Sequence, residues 1–517
     1  MSIRKNEIIL LILIAALGIF LRLLFLPSGG LTFGYDQARD AFSALEIAGG
    51  NLKIQGPSAS TPGLFHGVLY YYLLAPAYFF GSGSPYIAGV WVAILNILTI
   101  IPIFLLGKLL FSPKVGFLAS FLFAISFDAV QYGLWMSNPT PAVLSGAIFY
   151  LGLAYYIFSQ KKTLGVVLAA IGLGFSTQFE VFLGYLFVPL IISLVVFKIK
   201  PTVRHYLIFA GVYLLSISSM ILSYVKFGPT FIQGFANLFN ASGGDPFGNW
   251  RQFSPTLELY LNRFVEYFYR GVLPFNIGLA GIIAFIITVT TISWAKKESG
   301  KKPFTYLLIL LFSHVFLILF GGTSTPFINA GLQAAVLVLI AAFLSIVYQK
   351  QKLAIILLSL FIIFSCTYAT LKYNSSGQTV FSIQRGLTLK NELAAIDYTY
   401  QVGGNHFSIN TVTSPLWINT VWAYLYNWYG QDKYGFVPSY HGRDQNGYLG
   451  SMPEVSNNDQ ILFLIIEPLS GIPQEFVDAT VGYENTYSKV VEEKNYEGIV
   501  VQKRILTKPF NQINFIK

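Results

Sequence analysis

The chain reads as a polytopic α-helical membrane protein of about eleven spans, with external juxtamembrane helices and a small C-terminal α/β domain. Three observations point there. Apolar residues make up 54% and charged residues 11% of the 517, and the mean hydropathy is +0.61, well outside the range of a soluble domain. The apolar residues gather in runs of roughly 20, the length that crosses a bilayer core. After Leu371 those runs shorten and Gly, Asn, Asp and Ser become frequent, which marks a polar exported domain at 372–517 behind a membrane region at 1–371.

Taken in order, the runs predict spans at 8–26, 87–110, 115–134, 142–158, 164–177, 181–197, 206–225, 273–294, 304–320, 328–348 and 353–371. Lys and Arg then report orientation, because cytoplasmic loops are enriched in them. Arg4 and Lys5, Lys108 and Lys114, Lys161 and Lys162, Lys198 to Arg204, Lys296 to Lys302, and Lys350 and Lys352 all fall on one side, opposed there by Glu7 and Glu298. That side is cytoplasmic, the amino terminus lies on it, and an odd number of spans sends the carboxyl terminus outside a plasma membrane. The first run has a basic flank and no small-residue cleavage site after it, so it reads as an anchor. The net charge of +10 lies in these loop clusters, and nucleic acid is not indicated as a partner. The single cysteine, Cys366, excludes an internal disulfide.

Two external segments are long. The first, 27–86, contains the apolar stretch 65–80. Counted as a span, it would place Lys108 and Lys114 outside and invert every later loop. It is therefore predicted to lie in the interface, with Tyr70, Tyr71, Tyr72 and Tyr78 at the headgroup boundary. In the second, 227–271, Leu257, Leu261, Phe264, Val265 and Phe268 recur at helical spacing beside Arg263, Glu266 and Arg270, which predicts a second surface-lying amphipathic helix. Within 372–517, the runs at 407–412, 461–466 and 498–505 predict strands, and 384–400 and 415–428 predict helices. The stretch Tyr440-His441-Gly442-Arg443-Asp444 reads as a turn.

Chemistry concentrates just past the first span. Phe33-Gly34-Tyr35-Asp36-Gln37-Ala38-Arg39-Asp40 holds two carboxylates on one helix face at i and i+4, with Arg39 at i+3 from Asp36. They form either an acid set or a capped surface helix with Arg39 as its partner. An unpaired charge inside a span costs at least ~2.5 kcal/mol. Arg22 and Asp128, at similar depth in the first and third spans, are thus expected to face the bundle interior, as a structural ion pair or as part of the site. Glu180, at the tip between two short spans, lines the cavity or is a solvated loop residue. Asn138, beyond the third span, borders the site, and His314 reads as a packed intramembrane residue.

The chain resembles the C-type glycosyltransferases, in particular bacterial and archaeal relatives of the protein O-mannosyltransferases and of the aminoarabinose transferase that modifies lipid A (the glycosyltransferase family 39-like group). The resemblance runs through Leu21-Arg22-Leu23-Leu24, Tyr35-Asp36-Gln37, Phe65-His66-Gly67-Val68-Leu69-Tyr70-Tyr71-Tyr72 and Gly81-Ser82-Gly83-Ser84-Pro85, and it covers the rest mostly by topology. Members carry Asp-Glu in the first loop. Asp36 matches the Asp, Gln37 stands where the Glu would be, and Asp40 is the substitute carboxylate. His66 and Gly67 stand where relatives place a basic residue that contacts the donor phosphate.

The resemblance implies transfer of a sugar from a polyprenyl phosphate carrier to an external acceptor: a protein, a lipid or an envelope glycan. Such transfer needs a base at the acceptor hydroxyl and cations at the leaving phosphate, and opposed placement of the two gives inversion. Asp36 is the base, with Asp40 beside it. Arg39, His66, Tyr70, Arg251, Arg263 and Arg270 are candidate substrate contacts. The residues define no cofactor, although some relatives hold a divalent metal near the first-loop acids. The competing readings are an oligosaccharide ligase and a lipid or glycan flippase. A flippase would need a polar route through the spans or an inverted repeat.

Overall fold

Six apolar runs fold into helices long enough to cross a membrane: Lys5–Ser28, Pro85–Leu110, Lys162–Phe179, Ile277–Ala295, Ala330–Tyr348 and Lys352–Asn374. The computed structural model describes residues 4–59, 63–228, 233–234, 253–297, 301–315, 330–443, 452–513 and 515. They divide into a helical unit, Met1–Leu23, Leu52–Leu73 and Val90–Leu371, and a sheet unit, Leu24–Asn51, Leu74–Gly89 and Lys372–Lys517. Of the segment 27–86, two stretches cluster with 372–517, and 52–73 clusters with the helices.

Two runs expected as single straight spans are broken. Pro113–Ile125 and Phe127–Leu134 meet at 56°, and Val203–Ser216 and Ser218–Phe227 meet at 59°. At the first break Ser126 ends one helix and caps the next, its Oγ accepting from Ala129 N at 3.4 Å, so the hydroxyl offers the backbone an alternative partner inside an apolar run. Counting each bent pair once gives up to eight spans. Ala142–Phe158 and Val181–Val196 are shorter apolar helices. Lys301–Phe312 is a helix, and the rest of the run at 304–320 passes outside the described residues after 315.

Close packing within the helical unit is set by small residues. A Cβ on Gly152, Gly165 or Gly172 would stand 2.3–2.5 Å from the backbone nitrogens of Ala169, Tyr156 or Phe149, so the helices Ala142–Phe158 and Lys162–Phe179 touch backbone to backbone. Ser145 Oγ and Ser176 Oγ join them at 2.8 Å. Gly152→Leu is expected to push the pair apart at a cost of 1–3 kcal/mol or more and to lower the melting temperature of the detergent-solubilised protein. At one end of the unit Lys108 Nζ bonds both carboxylate oxygens of Glu7, at 2.9 and 2.7 Å. The start of the helix Lys5–Ser28 and the end of the helix Pro85–Leu110 thus lie together.

That stretch forms the helix Leu69–Phe80, but its tyrosines do not face lipid. Tyr70, Tyr71 and Tyr78 are buried, while Phe79 and Phe80 are the exposed rings. Burial suits a phenol where protein can meet its hydroxyl, as Tyr72 does by donating to Lys53 O at 2.9 Å. The amphipathic helix of the second segment spans Phe253–Val272. Its buried side is Phe264 and Phe268, and Leu257 and Leu261 remain exposed.

The sheet unit holds five strands: β1 (Phe407–Val412), β2 (Ser439–Tyr440), β3 (Ile461–Ile466), β4 (Ser488–Tyr496) and β5 (Ile499–Leu506). They lie in the order β2-β1-β3-β5-β4, parallel across the first three and antiparallel thereafter. The stretches Leu24–Asn51 and Leu74–Gly89 are built into this unit. Leu389 N donates to Leu31 O at 2.8 Å, and Tyr424 donates to Gly83 O at 2.5 Å with its ring among Phe33, Phe42 and Tyr78. Beneath the sheet the buried Glu467 accepts from Trp422 Nε1 at 3.1 Å, Gln384 Nε2 at 3.1 Å and Ser414 N at 3.0 Å. Glu392 is buried too, with both carboxylate oxygens lacking a hydrogen bond.

Candidate active site

In the sheet unit the first-loop acids sit on the helix Tyr35–Ala48, which Gly34 can start because its N–H is taken by Gln37 Oε1 at 2.9 Å. Gln37, in the place of the family's second acid, therefore caps the helix. One turn on, Arg39 bridges both carboxylates: Nη1 meets Asp36 Oδ1 at 2.7 Å, while Nε and Nη2 meet Asp40 Oδ1 at 2.9 and 2.8 Å. The two acids differ in access. Asp36 is 54% exposed and Asp40 1%, with Asp40 Oδ2 lacking a hydrogen-bond partner. Burial pushes the Asp40 carboxyl up to about 7, against the pull of the Arg39 charge and with the help of Asp36. Asp36 can thus meet a substrate, whereas Asp40 holds Arg39 in place.

A second constellation forms inside the helical unit. Gly67 has no room for a Cβ against Gln178, and its N–H donates to Gln178 O at 2.7 Å. This contact brings His66 to the end of the helix Lys162–Phe179, where its Nδ1 lies 3.2 Å from Val181 N and 3.7 Å from Glu180 Oε1. Glu180 is buried and is not a solvated loop residue. Asn138 donates to the neighbouring Phe179 O at 2.7 Å. The helix Phe127–Leu134 adds Tyr132, which feels the charges of Asp128, Arg270, Glu180 and Glu266. Arg270 Nη2 meets Glu266 Oε1 at 2.7 Å, and Arg263 also bridges to Glu266. His66, Glu180 and Asn138 are thus brought to one end of the helix Lys162–Phe179, and Arg263 and Arg270 share Glu266. Tyr70 is buried in the same unit, and Arg251 lies outside the described residues.

Arg22 and Asp128 do not pair. Asp128 accepts from Gln333 Nε2 and feels the charge of Arg270. Arg22 is buried with Nε on Asn96 Oδ1 at 2.8 Å and Nη1 on the carbonyls of Gly18 at 2.8 Å and Ala124 at 3.2 Å. Equal depth along two helices says nothing about the direction each side chain takes, and backbone carbonyls met the guanidinium first. Asn96 and Gln333, lone amides in apolar runs, were the signal in the sequence for these partners. Asn96→Leu is expected to leave Arg22 short of a bond at a cost of about 1–3 kcal/mol, read as a drop in melting temperature. His314 packs between Tyr260 and Tyr267, as expected of an intramembrane residue. Among the described residues no three His, Cys, Asp or Glu side chains converge on a metal position. The acid pair is bound to Arg39 instead, so the donor set does not fit a metal.

These features define an integral membrane protein with the fold of the C-type glycosyltransferases. ArnT from Cupriavidus metallidurans in the apo state is similar over 95% of this chain and 97% of its own, with a TM-score of 0.58 at 13% identity. The same protein bound to undecaprenyl phosphate gives 0.60 at 12% identity, over 96% and 98%. The apo oligosaccharyltransferase of Archaeoglobus fulgidus gives 0.50 at 13% identity, over 80% of this chain and 63% of that one. At these identities the likeness is one of fold. No family model and no curated protein matches the chain.

Proposed function

We propose that this protein is a membrane glycosyltransferase that moves a sugar from a polyprenyl phosphate to an acceptor hydroxyl on the outer side of the plasma membrane, with inversion. The observation that carries the reading is the Arg39-held Asp36, half exposed on the first loop of a fold shared over nearly the whole chain with ArnT, a protein whose structure bound to undecaprenyl phosphate is among the similar ones. Asp36 takes the proton of the acceptor hydroxyl, and the oxygen attacks the anomeric carbon. The bond from that carbon to the phosphate oxygen breaks, and its electron pair leaves on the polyprenyl phosphate. A cation is needed at the phosphate to take up the charge as it leaves. In this reading the apolar runs amount to about eleven spans, the amino terminus is cytoplasmic and 372–517 is extracytoplasmic. The acceptor is a protein, a lipid or an envelope glycan.

An oligosaccharide ligase is the second reading, favoured by the likeness to the archaeal oligosaccharyltransferase. The test is a panel of radiolabelled polyprenyl-phosphate monosaccharides and polyprenyl-linked oligosaccharides offered to membranes with and without the protein. Consumption of a monosaccharide carrier supports the first reading. Consumption of oligosaccharide carriers alone supports the ligase, and transbilayer movement of an intact carrier without its consumption supports a flippase.

A further inference from the structure

The carboxyl ends of β1 and β2 frame a cavity of about 210 Å³ that the transfer chemistry does not use. β2 forms the sheet edge beside β1. Asn410 and Thr411 come from β1, Tyr440 ends β2 and His441 follows it, and the helix Gln474–Glu484 supplies Phe476 and Thr480. A buried network holds this floor still. His441 Nδ1 meets Ser408 Oγ at 2.9 Å, His441 Nε2 meets Glu484 Oε1 at 3.1 Å, and Asn410 donates to the same oxygen at 2.8 Å. Of the stretch read as a turn from sequence, 440–443 is a strand end and a pocket wall, Asp444 lies outside the described residues, and His441, 2% exposed, is structural there.

Trp417 and Arg443 complete the lining. Trp417 sits at φ 59°, a backbone region that non-glycine residues seldom adopt, yet its indole is 42% exposed. Its ring packs edge to face with Phe476, centroids 5.3 Å apart. The exposed Arg443 lies with its guanidinium carbon 4.5 Å from the indole centroid. A guanidinium backed by an aromatic ring keeps its N–H donors in its own plane, the geometry that grips a carboxylate through two parallel bonds. Among the described residues the lining contains no carboxylate to take that grip. Around it stand the hydroxyls of Thr411, Tyr440 and Thr480 and the apolar faces of Trp417 and Phe476, a mixture suited to a ring with C–H faces and a hydroxylated edge.

We propose that this pocket binds one acidic sugar of a glycan, with the sugar carboxylate on Arg443 and the ring against the aromatic wall. The inference stands whether or not the transfer reading holds. Saturation-transfer NMR on the full chain in lipid nanodiscs, with the methyl glycosides of glucuronic, galacturonic and mannuronic acid and their neutral parents, tests it. At least one uronide is expected to bind ten or more times tighter than its parent. Arg443→Gln is expected to bring the two within twofold, and Trp417→Ala to weaken both at least tenfold, with melting temperatures unchanged. Absence of saturation transfer to every uronide in the wild type would overturn the proposal. So would uronide affinity untouched by either substitution, or equal affinity for N-acetylglutamate, which offers the carboxylate without the ring.

Discussion

Asp36→Asn is expected to lower consumption of the lipid-linked donor by roughly 10²–10⁴-fold, the contribution of a positioned general base, at unchanged expression and melting temperature. Asparagine keeps the shape of the side chain and an oxygen for Arg39, but it cannot take the acceptor proton. Because Asp36 is 54% exposed and its bond to Arg39 is a surface one, the fold loses little. Asp40→Asn separates the two acids. It removes the buried partner of Arg39 Nε and Nη2, so the guanidinium swings and activity falls less than for Asp36→Asn, while stability changes more. Wild-type rates from Asp36→Asn would eliminate that carboxylate as the base.

The protein is expected to melt at a lower temperature as the pH is raised from about 5 to about 8. Burial pushes Glu467 up to about 7 from its ordinary value of 4.5, and Asp40 up to about 7 from 3.8; burial and the neighbouring Glu467 push Glu392 well up. A carboxyl with a raised native pKa binds a proton in the folded state that the unfolded chain has already lost. Its stabilisation is complete below the unfolded pKa and fades as the pH climbs through the native one. For Glu467 a shift of that size corresponds to about 3 kcal/mol. Glu467→Gln keeps one oxygen acceptor, enough for Trp422 or for Ser414 but not both, and it should flatten the pH profile of the melting temperature. A wild-type profile that rises toward pH 8 would contradict the assignment of neutral carboxyls to this core.

What the sequence disclosed follows from how each element is solvated. The strands at 407–412 and 461–466 have the bounds expected because β1 and β3 are flanked by strands on both sides, β1 reading as a mixed and β3 as an apolar run. β4 was missed because it is the sheet edge, with Lys489, Glu492, Glu493 and Lys494 facing water, and charge is how an edge is kept from pairing. Helix periodicity placed 253–272 but not which side of it meets the protein. The acids of the first loop were legible as a group. Which of them is buried was not, because Asp36 and Asp40 share a helix face and only the packing of the neighbouring turn distinguishes them.

The sheet unit closes over a long distance in the chain. Thr32 meets Ser382 across 350 residues at 2.9 Å, and Tyr424 reaches Gly83 across 341. During synthesis Leu31, Phe33 and Tyr78, all buried in the finished protein, must wait for nearly the entire chain before their partners exist. At translation rates of about 5–20 residues per second, that is tens of seconds with apolar side chains uncovered. The amino-terminal segment therefore stays uncovered until late in synthesis, and a fragment beginning at Lys372 would lack part of its own interior.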